Sequence, residues 1–372
     1  MKHSVSIHHR VLSLQERYKK EYYELLSTKQ LSLIDLLSPE KFDLPELCSS
    51  FNPHPQSAEL LIKTKVFGDQ YKIWTQHAES NITCALFLYP YGRFDRVAAI
   101  MKNMLLDFFL NDIMGRDVYK HRVEEISEIV IKNISHVKID LSDSTPANLI
   151  EAANIEALMD FKNNSPKAWF QKFLKQFTHH IEITHRDLSA ETTGRIQTIN
   201  NYIERRCHYS GMNHVVTWME YAEGEFLNWH LLRKAKLSEK LKKAQHAVAA
   251  WGGLSNDFFS FEKEVINNAA DSNLIMMVAL NAEDISLLDA FTKASVLMRT
   301  FLNDAIDLIE ELRKDTAVLK NINAAEGNKL LRHLDALTTC IQASWEWQAQ
   351  TKRYQRAQSI WRETQIMESV IK

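Results

Sequence analysis

From about residue 56 onward, apolar side chains recur every three to four positions along nearly the whole chain, with charged and amide residues between them. That period puts the apolar positions on one face of a helix turning about 100° per residue. It predicts helices over residues 57–67, 70–88, 93–114, 118–134, 146–162, 166–182, 190–208, 213–223, 240–265, 273–280, 284–313, 327–349 and 353–370. Residues 1–55 hold charged helical stretches and then PELCSSFNPHPQ, where Pro45, Pro53 and Pro55 mark an entry loop. Pro90 with Gly92 breaks the pattern, and Gly211, Gly224, Gly252 and Gly253 punctuate it further. With no internal repeat and no low-complexity linker, residues 1–50 read as an N-terminal helical extension on a single domain spanning 51–372.

Composition sharpens this to an all-α bundle. The 372 residues include only 9 Gly and 7 Pro, and none of the 206 residues after Pro166 is a proline. Sandwiches and barrels need far more turn residues. Hydrophobic residues make up 45% of the chain, enough for a large core. A net charge of −2 with no basic stripe argues against a nucleic-acid partner. No stretch approaches the roughly 18 apolar residues of a membrane span, and the charged N-terminus lacks the apolar run of a secretory signal. Cys48, Cys84, Cys207 and Cys340 show no CxxC spacing. A cytoplasmic protein with reduced thiols is expected.

Bundles build their ligand and metal sites from side chains on facing helices. In SNDFFSFEKE, residues 255–264, Asn256, Ser260 and Glu264 stand at i, i+4 and i+8, a drift of only about 40° per step, so they form one stripe. An amide oxygen, a hydroxyl and a carboxylate suit Mg2+. Phe258, Phe259, Phe261 and Val265 around them are an odd setting for a solvated row. In MLLDFFLND, residues 104–112, Asp107 lies in an apolar run where a carboxylate needs a partner. Asn111 shares its face, and Asp112 is turned about 100° further. YIERRCHYSG, residues 202–211, sets Arg205 and Arg206 before a Ser–Gly break, and WEWQAQTKRY, residues 345–354, ends in Arg353 and Tyr354 after two tryptophans. Each is weak alone, since surface arginines and core tryptophans are common. Asp304 and Asp307 read as a solvated or salt-bridged face, and the doublets His8–His9 and His179–His180 have no ligand spacing.

Together these segments resemble class I terpene synthases of the bacterial type over about residues 50–355. Asn256, Asp257, Ser260, Lys263 and Glu264 occupy every defining position of the family's NDxxSxxKE motif. FNPHP and LYPYGRFDRV are similar to its proline-marked approach segments, and MLLDFFLND stands where its aspartate-rich motif belongs. There Asp107 matches the first aspartate, but Phe108 replaces the second. YIERRCHYSG resembles the diphosphate-sensing arginine and helix break, with Arg206 the best match and Arg205 the fallback. KRY resembles the C-terminal Arg-Tyr pair, with Trp347 six residues before Arg353.

The resemblance implies a helical bundle with a central cavity. In it a linear prenyl diphosphate ionises and the carbocation cyclises to a hydrocarbon or alcohol. Farnesyl diphosphate is the commonest family substrate and geranylgeranyl diphosphate the next. Three Mg2+ ions, replaceable by Mn2+, would be held by Asp107, Asp112, Asn256, Ser260 and Glu264. Arg206, Lys263, Arg353 and Tyr354 would bind the diphosphate, Gly211 would form the helix break, and Phe87, Met104, Phe108, Tyr209 and Trp347 would wall the pocket. The family is often monomeric or dimeric, so a homodimer is open. Two other readings stand beside this one: a chain-elongating or condensing prenyl synthase, against which the NDxxSxxKE motif weighs, and a catalytically silent helical binding protein on the same fold.

Overall fold

The longest apolar repeat, Leu287–Ile322, forms a single helix that starts where the Ser286 side chain accepts from the Asp289 amide and ends at Asn323. Asn323 is both that helix's last cap and the first cap of the next, its side chain accepting from the Glu326 amide. The repeat predicted over 284–313 therefore runs on, because Thr316 and Leu319 continue the buried stripe. The computed structural model describes residues 2–113, 145–146, 148–184 and 189–366, the side chains of 2–6, 111–113, 182, 191 and 192 excepted. Helices of seven or more residues are numbered α1 (Lys2–Thr28), α2 (Ser57–Gln70), α3 (Phe94–Ile113), α4 (Leu149–Asn163), α5 (Lys167–Thr184), α6 (Ile199–Tyr209), α7 (Met212–Glu223), α8 (Ser238–Phe259), α9 (Leu274–Leu280), α10 (Leu287–Ile322) and α11 (Ala324–Gln350). The helix predicted over 118–134 lies outside the described residues.

The chain is all-α, as its periodicity requires; among the described residues only two isolated β-bridges occur. Helix α8 is the axis, packing on α10, α11, α6 and α7. Its Trp251 is fully buried and donates from Nε1 to the Ile341 carbonyl of α11 at 3.1 Å. All four cysteines are buried and free. No described helix is long and apolar enough to cross a membrane.

Three predicted helices are broken. The 70–88 segment turns at Lys72, which adopts φ +56°, and resumes as two short helices, Ala78–Ile82 and Cys84–Leu88. The 190–208 segment breaks at Gly194, φ +65°, before Thr198 caps α6. The 240–265 segment leaves α-geometry at Ser260 and continues as a π-helix over Glu262–Asn267. π-turns inside helices are frequently found at functional sites.

The helix predicted over 353–370 is, as far as residue 366, a non-helical strap with one 3-10 turn at Arg362–Thr364. Its apolar residues anchor it rather than line a helix face. Ile360 and Trp361 are fully buried, and Trp361 packs 4.7 Å from Phe291 of α10. The Ile360 carbonyl accepts from the Leu31 amide at 2.7 Å. Glu363 caps the short Leu33–Leu37 helix by accepting from the amides of Leu33 (2.9 Å) and Ile34 (3.2 Å).

Glu262, buried at the start of the π-helix, ties both chain ends to this region. It accepts from the Tyr22 hydroxyl of α1 at 2.9 Å, the Ser359 hydroxyl at 2.8 Å and the Ile360 amide at 2.9 Å. Glu262→Ala strands the Tyr22 and Ile360 donors, each costing about 1–3 kcal/mol when buried unpaired, while Ser359 can still donate to the Thr364 hydroxyl. Urea unfolding should show a stability loss of about 2–6 kcal/mol, whereas Tyr22→Phe should lose about 2 kcal/mol, one bond to a charged group.

Candidate active site

Helices α3, α5, α8 and α11 and the α6–α7 break surround a cavity of about 220 Å³. Asp107, Arg206, Gly211, Asn256, Ser260, Lys263, Glu264, Trp347, Arg353 and Tyr354 all line it. Asp112 lies one turn beyond Asp107 on α3, and its side chain is outside the described residues. Of the wall residues, Met104, Phe108 and Tyr209 line the cavity. Phe87 does not: it stacks on Phe51 at 5.6 Å and borders a neighbouring pocket that shares Lys263, Trp347 and Arg353 with the cavity.

The stripe keeps its register although α8 ends within it. The Ser260 amide donates to the Asn256 carbonyl and the Glu264 amide to the Ser260 carbonyl, each at 2.8 Å. The Asn256 Oδ1 accepts from Arg206 Nη2 at 2.8 Å, and its Nδ2 donates to Tyr354 Oη at 2.6 Å and Gln348 Oε1 at 3.0 Å. Glu264 Oε2 accepts from Asn273 at 3.3 Å. Ser260 Oγ is buried and has no hydrogen-bond partner among the described residues. Buried hydroxyls are almost always paired, so an orphan between two other oxygen ligands fits a site built for a hard, oxygen-seeking cation.

Asp257 is turned about 100° away from that stripe and does a different job. Fully buried, it pairs with Arg206 Nε at 2.8 Å and accepts from the Tyr202 hydroxyl at 2.7 Å and the Leu274 amide at 3.0 Å. Burial opposes the Arg206 charge, but Asp257 and then Tyr209 and Tyr202 outweigh it and hold the guanidinium pKa well above its ordinary value. This pair decides between the two sequence candidates: Arg206 is buried and lines the cavity, while half-buried Arg205 does not.

Two glycine features let α6 reach α8. Gly211 takes φ +79°, a left-handed conformation costly for a side chain, and its hydrogen faces the His214 ring, which a Cβ would meet at 3.1 Å. Its carbonyl accepts from the His214 and Val215 amides, starting α7. Gly252 and Gly253 are not breaks but lie inside α8. A Cβ there would come within 2.4 Å of Met212 and 2.9 Å of Ser210 respectively.

Opposite the stripe, Asp107 accepts from His180 Nε2 at 2.9 Å. Burial disfavours a charged His180 ring, but Asp107 and the His208 carbonyl raise its pKa. His214, 4.8 Å from His180, is pushed the other way, well below the usual range, by burial and then by His180. Arg353 donates to Asn81 Oδ1 at 2.7 Å and lies 5.6 Å over the Phe108 ring. Trp347 donates from Nε1 to Thr83 at 3.0 Å. Sequence reasoning missed His180, His214 and Gln348 as cavity residues. Neither histidine has a local spacing signal; only long-range packing brings them in.

Residues 102–304 match the family described as terpene synthase family 2, C-terminal metal binding. The fold is similar to the crystal structure of a-eudesmol synthase, at 18% identity over 82% of this chain and 98% of that one, with a TM-score of 0.69. It is also similar to germacradien-4-ol synthase from Streptomyces citricolor (15%; 80% and 95%; 0.66). A third likeness is to linalool/nerolidol synthase from Streptomyces clavuligerus in complex with 2-fluorogeranyl diphosphate (16%; 81% and 97%; 0.65). At these identities the likeness is one of fold. No curated protein sequence matches the chain.

Asp257→Ala should leave Arg206 as an uncompensated buried charge. Denaturant titration is expected to show a loss of about 3–5 kcal/mol, the usual cost of breaking a buried pair from one side.

Proposed function

The chain belongs to terpene synthase family 2, and from that membership we propose that it is a Mg2+-dependent cyclase. It ionises a linear prenyl diphosphate, the farnesyl ester first and the geranylgeranyl ester next, and closes the carbocation to a terpene hydrocarbon or alcohol with release of diphosphate. The observation that carries this reading is the cavity flanked by Asp107 on one side and the Asn256–Ser260–Glu264 stripe on the other, with Ser260 Oγ unpaired.

Asp107 and Asp112 on α3, and Asn256, Ser260 and Glu264 along the end of α8 and the π-helix after it, would supply the oxygen ligands. Three Mg2+ ions, or Mn2+ in their place, would supply the positive charge that makes diphosphate a leaving group in an apolar pocket. Arg206, Lys263, Arg353 and Tyr354 donate to the diphosphate oxygens, the arginines with the planar fork suited to them. Arg206 is held for this by Asp257, and Tyr354 by Asn256. Met104, Phe108, Tyr209 and Trp347 keep water from the cation, and ring faces stabilise its charge. Gly211 permits the turn that brings Arg206 to the cavity. In this reading residues 1–50 are an extension braced against the catalytic domain through Tyr22, and the enzyme works in the cytoplasm.

The test is incubation of the purified protein with geranyl, farnesyl and geranylgeranyl diphosphate in turn, with Mg2+ or with EDTA, followed by gas chromatography and mass spectrometry. A cyclic product from one substrate, absent with EDTA, is expected. Asp107→Asn and Asn256→Ala should each lower kcat/KM on the order of 10²-fold or more, as losing one preorganised electrostatic partner does. Full turnover by Asn256→Ala would sink the metal assignment. No turnover by folded wild-type protein would favour a silent binding protein, and consumption of isopentenyl diphosphate a chain-elongating enzyme.

A further inference from the structure

His180 links two of the elements that line the cavity, Asp107 on α3 and the last turn of α6. It projects from α5 and is 2% exposed. Its Nε2 lies 2.9 Å from Asp107 Oδ1 on α3, and its Nδ1 lies 2.8 Å from the His208 carbonyl in the last turn of α6. Thr184, one turn on along α5, sits 3.1 Å from the same Nδ1. The ring is held on its faces by Phe177 at 6.4 Å and His214 at 4.8 Å. Its orientation is thus set at both nitrogens and by packing.

The chemistry explains why such a residue is needed here. An aspartate-rich motif with two adjacent carboxylates has a spare ligand; this chain has Phe108 where the second would stand. A carboxylate side chain can rotate, and each misplaced rotamer would cost cation affinity. A carboxylate has about four acceptor sites, so the bond to His180 occupies one of them and sets the orientation of the group. The second bond, to His208, anchors that orientation to the turn carrying Arg206, which donates to Asn256 of the opposite ligand stripe.

We propose that His180 is a positioning residue that fixes the Asp107 carboxylate for its cation and couples it to the α6–α7 break. This rests on the reading of Asp107 as a metal ligand. Partners of this kind typically contribute 10–100-fold to metal affinity.

The test uses the full chain and inorganic pyrophosphate in place of substrate, so that turnover is not the readout. Mg2+ is titrated calorimetrically into the protein with pyrophosphate present, for the wild type and for H180N, H180Q and D107N, each shown folded by circular dichroism. Asparagine places an amide nitrogen near Nδ1 only, and glutamine one near Nε2. H180N is expected to weaken Mg2+ binding by about 10–100-fold, approaching D107N, and H180Q to restore most of it. Wild-type affinity in H180N beside weakened binding in D107N overturns the His180 role and leaves the metal reading intact. Wild-type affinity in D107N as well overturns the metal reading itself. If H180N does not fold, proton–nitrogen NMR of the wild type decides. The Nε2–H resonance of His180 should be lost or moved in D107N and should shift on addition of Mg2+ and pyrophosphate, and a resonance indifferent to both overturns the proposal.

Discussion

The buried ion pair of Arg206 and Asp257 is the constraint on which the site depends. A guanidinium out of water is tolerable only beside a counter-charge with its other donors satisfied. Here Asp257 supplies the charge, while Asn256, its neighbour in sequence, supplies an oxygen acceptor. Two consecutive residues of α8 thus grip one arginine from α6. Because consecutive helix residues diverge by about 100°, the grip orients the guanidinium as well as neutralising it. Both contacts tie the last turns of α6 to the part of α8 where the Asn256–Ser260–Glu264 stripe begins.

Packing makes that grip reachable. Gly252 and Gly253 remove the side chains that would hold the break away from α8, and Gly211 turns the chain sharply enough for α6 and α7 to pass on either side of it. The Tyr202 hydroxyl and the Leu274 amide both donate to the other carboxylate oxygen of Asp257, Oδ2. The same carboxylate therefore also joins α9 to the site. On the other flank, Glu262 recruits α1 and the C-terminal strap to the start of the π-helix that follows Ser260 and contains Glu264. Two buried carboxylates that do not line the cavity, Asp257 and Glu262, thus brace the segment that carries Asn256, Ser260 and Glu264.

Beside its charged and amide residues, the cavity is lined by aliphatic and aromatic side chains such as Leu88, Met104, Phe108, Trp218 and Trp347. Two histidines interrupt the wall with opposite character: His180 faces a carboxylate, while His214 is kept neutral by burial and by His180. Phe108 follows Asp107 on α3, and the His180 ring holds the Asp107 carboxylate from a neighbouring helix.

Local rules alone determined much of this protein. Scarce Gly and Pro with a 3.6-residue period dictate an all-α bundle, and i, i+4, i+8 spacing aligns Asn256, Ser260 and Glu264, because the i+4 backbone bonds from Ser260 to Asn256 and from Glu264 to Ser260 persist across the end of α8. The Ser–Gly pair marks the break for the same local reason. Only tertiary structure decided the rest. Periodicity cannot tell a helix face from an anchored strap, so Ile360 and Trp361 read as helical although they are buried in extended chain. Choosing Arg206 over Arg205 required knowing which one meets Asp257. His180 and Asp107, 73 residues apart, have no shared pattern in the chain; they meet because α5 packs on α6 and α7, and that contact is a property of the packed core.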